Sequence, residues 1–98
     1  MNIRYSPRAA RDLEAIYRYL VEKSPQGASN VMTAIYAAIA FVRRHPEGGQ
    51  STSISGVRTM IVRRYRFKVF YRVALREGAI EIVHVRHTSR RPWSGEND

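Results

Sequence analysis

The chain has 98 residues, is 44% hydrophobic and contains no cysteine, which suits a single globular domain and excludes disulfide bridges and thiolate metal sites. It carries 17 lysine and arginine residues against 8 aspartate and glutamate residues, and fifteen of these cations are arginine. Because arginine pairs with carboxylates and phosphates through a planar fork, we expect anionic macromolecular partners. With no apolar run of membrane-spanning length and no visible signal peptide, the sequence predicts a soluble, cytoplasmic protein.

A short strand is predicted at residues 2–5, and a helix follows it. Ser6 and Pro7 form a typical helix start, because serine accepts a bond from a free backbone N–H and proline suits the first helical position. Apolar residues then recur at helical spacing on one face, which we expect to face the core; they are Leu13, Ile16, Tyr17, Leu20 and Val21. Asp12 lies on the opposite, polar face, and Tyr19 also lies off the apolar stripe, where it could join a partner interface.

Ser24 and Pro25 repeat the start signal and predict a second helix from about Gln26 to Arg44, which Pro46 ends. The junction between the two helices is so short that they must form an antiparallel hairpin. A polar loop is expected over residues 47–55.

Beyond this loop the hydrophobic period changes from 3.6 to 2, which predicts strands at residues 57–64, 67–75 and 79–87. Gly78 suits the turn before the last strand, since glycine adopts positive φ at little cost. In the middle strand, Phe67, Val69, Tyr71 and Val73 are predicted to face the core, which leaves Lys68 and Arg72 on an open face. In the last strand, either the set with Ile82 and His84 or the set with Val83 and Val85 could face inward.

The predicted fold class is therefore α+β, a single domain with element order β-α-α-β-β-β, in which the helical hairpin packs on one face of an antiparallel sheet. Residues 88–98 are expected to form an irregular, partly mobile tail. No metal or cofactor site is predicted, because the three histidines are scattered and lack the His-His-carboxylate spacing of metal sites.

Four segments carry a resemblance to a known family: "IRYSPRAARDLEAIYRYL", "RRHPEGGQ", "FKVFYRV" and "IEIVHVRHTSRRPW". Their order along the chain resembles the RelE/ParE toxins of bacterial type II toxin–antitoxin modules. The resemblance implies a growth-inhibiting toxin that a cognate antitoxin neutralises by wrapping over the helices and the sheet. It also implies that the target is a macromolecule, with no membrane and no small-molecule substrate involved.

The RelE-like branch of this family cleaves messenger RNA on the ribosome without a metal ion. By resemblance, Lys68, His87 and Arg90 would then be catalytic, because cleavage needs a base, an acid and cations that stabilise the phosphorane. Trp93 lies near the position of a tyrosine in RelE-like enzymes. An indole can stack on a base but has no ionisable hydroxyl, which argues against ribonuclease activity here.

The ParE-like branch inhibits DNA gyrase, and its last strand often ends in a histidine followed by small and basic residues. The segment "RHTSRR", with His87 as that histidine, follows this pattern, so the chain resembles the ParE-like branch more closely. A third hypothesis is a module that binds its antitoxin without being toxic.

Residues that could bind the target or a phosphate fall in the strands and the tail; they are Arg58, Arg72, Arg86, Arg91 and Trp93. Clusters of arginine and tryptophan often mark interface hot spots, although a solvated basic surface would have the same composition. His84 and His87 could form an acid–base pair with Arg86, or they could be one core and one surface histidine.

Overall fold

Two helices form one layer of the molecule and a five-stranded sheet forms the other, in a computed structural model that describes residues 1–89, 93 and 95. The elements in chain order are β1 (Asn2–Tyr5), α1 (Pro7–Lys23), α2 (Pro25–Arg44), β2 (Gln50–Ser51), β3 (Val57–Val62), β4 (Phe67–Ala74) and β5 (Ala79–His87). Short 3-10 turns, Arg63–Tyr65 and Leu75–Glu77, join β3 to β4 and β4 to β5. Within this described part, neither helix is long and apolar enough to cross a membrane.

The helical hairpin turns on a single residue. Ser24 ends α1 through its backbone N–H, which donates to the carbonyl of Leu20 at 2.9 Å. The side chain of Ser24 then starts α2 by accepting a 3.0 Å bond from the N–H of Gly27. Ser6 starts α1 in the same way, accepting from the N–H of Ala9 at 3.0 Å. Each serine satisfies a backbone donor that has no partner inside its own helix, as the sequence predicted.

The strands are arranged in the order β1-β5-β4-β3-β2. Neighbouring strands run antiparallel except that β1 runs parallel to β5, with Asn2 opposite Ala79 and Tyr5 opposite Ile82. The predicted α+β class and the helical hairpin on one sheet face are confirmed. The structure adds the parallel edge pair and the two-residue strand β2, which lies inside the segment predicted to be a loop.

A β-bulge explains why the alternation of β5 could not be interpreted from the sequence. Phe70 is opposite His84 and Tyr71 is opposite Ile82, so Val83 is an extra residue with no partner in β4. Beyond a bulge, the alternation of side chains between the two faces of the sheet is shifted by one residue. As a result, Ile82 and Val85 both contact the core beneath the helices, although they are three residues apart. Each of the two predicted inward sets is therefore half correct.

The core lies between the helical layer and the sheet, and its largest fully buried side chain is Tyr71. The Tyr71 hydroxyl accepts a bond from the N–H of Gly49 at 2.9 Å and donates to the carbonyl of Pro46 at 2.8 Å. Burial raises the pKa of Tyr71, and this exceeds the opposite effects of the Gly49 N–H and the Arg58 charge. A Cβ on Gly49 would lie 2.8 Å from the carbonyl oxygen of Thr59, so only glycine fits here. The hydroxyl thus fixes the segment between α2 and β2.

Two sequence predictions about the elements are wrong in detail. Tyr17 was expected in the core but is 48% exposed, because Ala9, Leu13, Ile16 and Leu20 form the face of α1 that packs inward. The strand predicted to reach Arg64 ends at Val62, since the chain turns through a 3-10 segment and then adopts a left-handed conformation at Arg66, with φ of 58°.

We expect Tyr71→Phe to lower the free energy of unfolding by about 1–3 kcal/mol, because it leaves a buried N–H without an acceptor. Urea denaturation followed by circular dichroism measures this change. Tyr19→Phe, at a residue that is 62% exposed, is the matched control and should change stability by less than about 0.5 kcal/mol. Equal stability of both variants would show that the Tyr71 hydroxyl does not hold the loop.

Candidate functional site

The sheet face turned away from the helices, called the open face below, carries Lys68, predicted as catalytic, and Arg72 and Arg86, predicted to bind the target. Lys68 on β4 lies directly opposite Arg86 on β5, so two cationic side chains are cross-strand neighbours. Arg72 lies further along β4 opposite Glu81, and its Nη1 is 3.3 Å from a carboxylate oxygen of that residue. The charge of Arg72 is therefore partly compensated by that of Glu81.

Two other predicted site residues lie on the helix side of the sheet. Arg58 is opposite the core residue Tyr71, and its Nη1 donates to the carbonyl of Gly49 at 2.9 Å. His87 is opposite Phe67, with their rings in edge contact at 5.2 Å. The structure therefore does not bring Arg58 or His87 together with Lys68.

His87 has a defined tautomer when neutral. The N–H of Ser89 donates to His87 Nδ1 at 3.0 Å, so Nδ1 is an acceptor and Nε2 carries the proton. The Ser89 hydroxyl lies 2.7 Å from the same nitrogen. Both contacts come from the turn that follows β5, which suggests a structural part for this histidine in ending the strand.

His84 is buried, and Asp12 of α1 fixes its orientation. Oδ2 of Asp12 lies 2.5 Å from His84 Nδ1 and accepts a 3.0 Å bond from the N–H of Val85. Because a carboxylate only accepts, Nδ1 carries the proton, and Nε2 of the neutral ring is an acceptor. Nε of Arg8 also lies 3.2 Å from Nδ1. The contact with the carboxylate is shorter, so Nδ1 donates to Asp12 and cannot also accept from Arg8.

Trp93 covers this part of the open face. Its ring lies 5.0 Å from that of Phe70 and 4.8 Å from that of His84, measured between centroids. The guanidinium carbon of Arg8 lies 5.9 Å from the Trp93 ring centroid, within cation–π range. Residues of α1, β4 and β5 thus meet around one indole.

Sequence reasoning missed most of this cluster. Asp12 was assigned to the polar face of α1, and nothing in the helical spacing indicated that it reaches the backbone of β5. Phe70 alternates with the core-facing residues of β4, but nothing in that alternation indicated that Trp93 would contact it. The predictions for Arg90 and Arg91 concern residues outside the part that the structure describes. Within that part, no three histidine, aspartate or glutamate side chains are close enough to bind a metal ion.

A second surface lies between the helices. It is an open groove of about 970 Å³ that includes three exposed tyrosines, and we call it the tyrosine groove. Tyr5, Tyr17 and Tyr36 are 41%, 48% and 46% exposed, respectively, and Leu13 and Met32 contribute to its lining. Burial raises the pKa of Tyr5, with a smaller effect in the same direction from Tyr36. An aromatic, mostly uncharged groove of this kind can accept the apolar side of another polypeptide.

We expect Asp12→Ala to lower the free energy of unfolding by about 2–4 kcal/mol, because it removes the acceptor of both the Val85 N–H and the His84 ring. Glu14→Ala on the same helix is the matched control. Glu14 pairs only with Arg18 at the surface, so the expected loss is below about 0.5 kcal/mol. Chemical denaturation of both variants distinguishes them, and similar losses would contradict a structural role for the Asp12–His84 contact.

Comparisons with known proteins agree with this geometry. The family model described as the ParE toxin of the type II toxin–antitoxin system parDE matches residues 3–92. No curated protein sequence matches the chain significantly.

Among solved structures, one described as the chromosomal ParDE toxin–antitoxin system from P. aeruginosa superposes with a TM-score of 0.77 and 26% identity. The match covers 91% of this chain and 97% of that chain. The isolated E. coli RelE toxin superposes with a TM-score of 0.69 over 91% of this chain and 85% of that chain, and its 13% identity shows a common fold alone. Since the family model spans almost the whole sequence, the chain belongs to the ParE toxin family of type II toxin–antitoxin systems.

Proposed function

We propose that this toxin stops bacterial growth by inhibiting DNA gyrase through the cationic open face, and that a cognate antitoxin neutralises it. Family membership supports the toxin role, and the net charge of +9 supports a negatively charged surface as the target. The cross-strand neighbours Lys68 and Arg86 are the strongest candidates for that contact.

The position of the two histidines of β5 is the observation that favours protein inhibition over RNA cleavage. A metal-independent ribonuclease needs a proton donor and a proton acceptor on either side of one phosphate. His87 lies on the helix side of the sheet, whereas Lys68 lies on the open face. His84 is on the open face but is 3% exposed beneath Trp93. Among the described residues, Lys68 therefore has no accessible histidine on its own face of the sheet.

Two parallel assays test the target. The purified toxin is incubated with gyrase and plasmid, and separately with ribosomes and messenger RNA. We expect loss of supercoiling or trapped double-strand breaks in the first assay and intact transcripts in the second. Transcripts with 2′,3′-cyclic or 3′-phosphate ends, together with unaffected gyrase, would establish the ribonuclease alternative. Tight antitoxin binding with neither effect would indicate a module without toxicity.

We expect the double variant Lys68→Gln and Arg86→Gln to weaken growth arrest at least about tenfold in the amount of toxin required, since each lost charge contact costs roughly 1 kcal/mol or more. Arg18→Gln is the matched control, because Arg18 is exposed on α1 and pairs with Glu14. Colony counts after induction, at equal toxin levels, give the comparison. Full toxicity of the folded double variant would exclude this pair from the mechanism, and Arg90→Ala with Arg91→Ala tests the tail in the same way.

We also propose that the tyrosine groove receives the apolar side of an amphipathic antitoxin segment. Its three tyrosines are each more than two-fifths exposed, and tyrosine is enriched at the centres of protein interfaces. The groove belongs to the helical layer, so an antitoxin bound there would leave the open face of the sheet uncovered unless it extends around the edge.

We expect Tyr17→Ala with Tyr36→Ala to weaken antitoxin binding at least about tenfold while growth arrest without antitoxin is retained, because large buried aromatic side chains dominate interface energies. Isothermal titration against the antitoxin encoded beside this toxin measures the affinity. Tyr19→Ala serves as the comparison, since Tyr19 is exposed but contacts Lys23 outside the groove. A larger loss from Tyr19→Ala than from the double variant would move the interface to the other side of α1.

A further inference from the structure

Three neighbouring residues form a buried row on the open face, called the recess below, and Trp93 packs against two of them. Thr59 on β3 is opposite Phe70 on β4, and Phe70 is opposite His84 on β5, so they form one row across the sheet. They are 9%, 6% and 3% exposed, respectively. The rings of Phe70 and His84 are 24° from parallel and 5.8 Å apart, and the indole packs against both.

This recess contains two polar atoms that its occupant does not satisfy. Among the described residues, Oγ1 of Thr59 and Nε2 of His84 are buried side-chain atoms without a hydrogen-bond partner. Asp12 occupies Nδ1 of His84, so Nε2 is left to accept a bond in the neutral ring or to donate one in the charged ring. A buried polar atom without a partner is unfavourable, so Trp93 packs against the row and leaves this cost in place.

We propose that the recess is a binding site for a tyrosine side chain on an acidic segment of a protein partner, and that Trp93 occupies it in the free toxin. Trp93 itself demonstrates that an aromatic side chain on a polypeptide fits the row. A phenolic hydroxyl can donate to or accept from His84 Nε2, so it supplies the missing partner. Lys68 on the same face, two residues from Phe70 along β4, supplies a cation for a carboxylate beside the tyrosine. The site does not depend on gyrase being the target.

A protein segment agrees better with these observations than a nucleotide does. The two unsatisfied atoms lie within a row that an amino-acid side chain already covers, and the chain belongs to a family that works with a protein antitoxin. A stacked base would also contact Phe70 and His84, so the experiment includes a nucleotide as a competing probe.

The test uses the full chain with Trp93→Ala, which vacates the recess. The probe is a blocked peptide, acetyl-Asp-Glu-Tyr-Asp-amide, and the readout is the imidazole ¹⁵N shift of His84, assigned against His84→Gln. We expect the Tyr peptide to shift the Nε2 signal with saturation and the equivalent Phe peptide to bind more weakly. In the wild-type chain the affinity should be at least roughly tenfold lower, because a site that is free for a small fraction of the time has its apparent affinity reduced by that fraction.

Thr59→Val and Leu75→Ala separate binding from stability. Thr59→Val removes one unsatisfied hydroxyl, so it should raise the thermal midpoint while the His84 response to the Tyr peptide is retained. Leu75→Ala, at a residue that is 79% exposed in the β4–β5 turn, should leave both unchanged. If Trp93→Ala does not fold, the wild-type chain is titrated with the Tyr peptide instead. Trp93 is the single tryptophan of the chain, so a red shift of the tryptophan fluorescence reports its displacement directly.

The proposal is overturned if the Tyr peptide leaves the His84 signals and the Trp93 fluorescence unchanged, or if the Phe and Tyr peptides bind equally. Tighter binding by adenosine 5′-monophosphate than by the Tyr peptide would also overturn it and make the recess a nucleotide site. The result of the gyrase assay does not affect any of these outcomes, so either proposal can fail while the other holds.

Discussion

The carboxylate of Asp12 connects the helical layer to the part of β5 that β1 leaves uncovered. β1 pairs only with residues 79–82, and beyond that point the backbone of β5 would be an open edge. Ser6 covers this edge with two hydrogen bonds: its N–H donates to the carbonyl of Ile82 at 2.9 Å, and its hydroxyl donates to the carbonyl of Val83 at 3.0 Å. Asp12 accepts a third hydrogen bond, from the N–H of Val85. One turn and a half of α1 thus replaces a missing neighbour strand.

This connection also determines the character of the open face. Asp12 holds Nδ1 of His84, which leaves Nε2 without a partner among the described residues and sets the ring 24° from parallel to that of Phe70. The aromatic row and the Lys68–Arg86 pair belong to the same face, whereas the tyrosine groove belongs to the helices. The two layers therefore present two separate surfaces, one for each of the two contacts that we propose.

The sequence predicted the features that depend on local chemistry, and it failed where distant segments meet. The serine–proline helix starts, the hairpin and the core face of β4 follow from capping and periodicity, and all appear in the structure. The bulge at Val83 could not be found, because an extra residue in a strand of valines and isoleucines leaves no local mark. Arg58 was grouped with the other arginines by composition, yet strand parity directs it to the helix side, where it bonds to Gly49.

The parallel pairing of β1 with β5 has a consequence for the timing of synthesis. The first strand finds its partner only when residues 79–82, near the other end of the chain, have emerged during translation. Until then, α1 and α2 can associate, but the sheet on which they pack is incomplete. Contacts between residues so far apart in the sequence also form slowly. The nascent chain therefore lacks both the closed sheet and the Asp12–His84 contact until β5 has been synthesised.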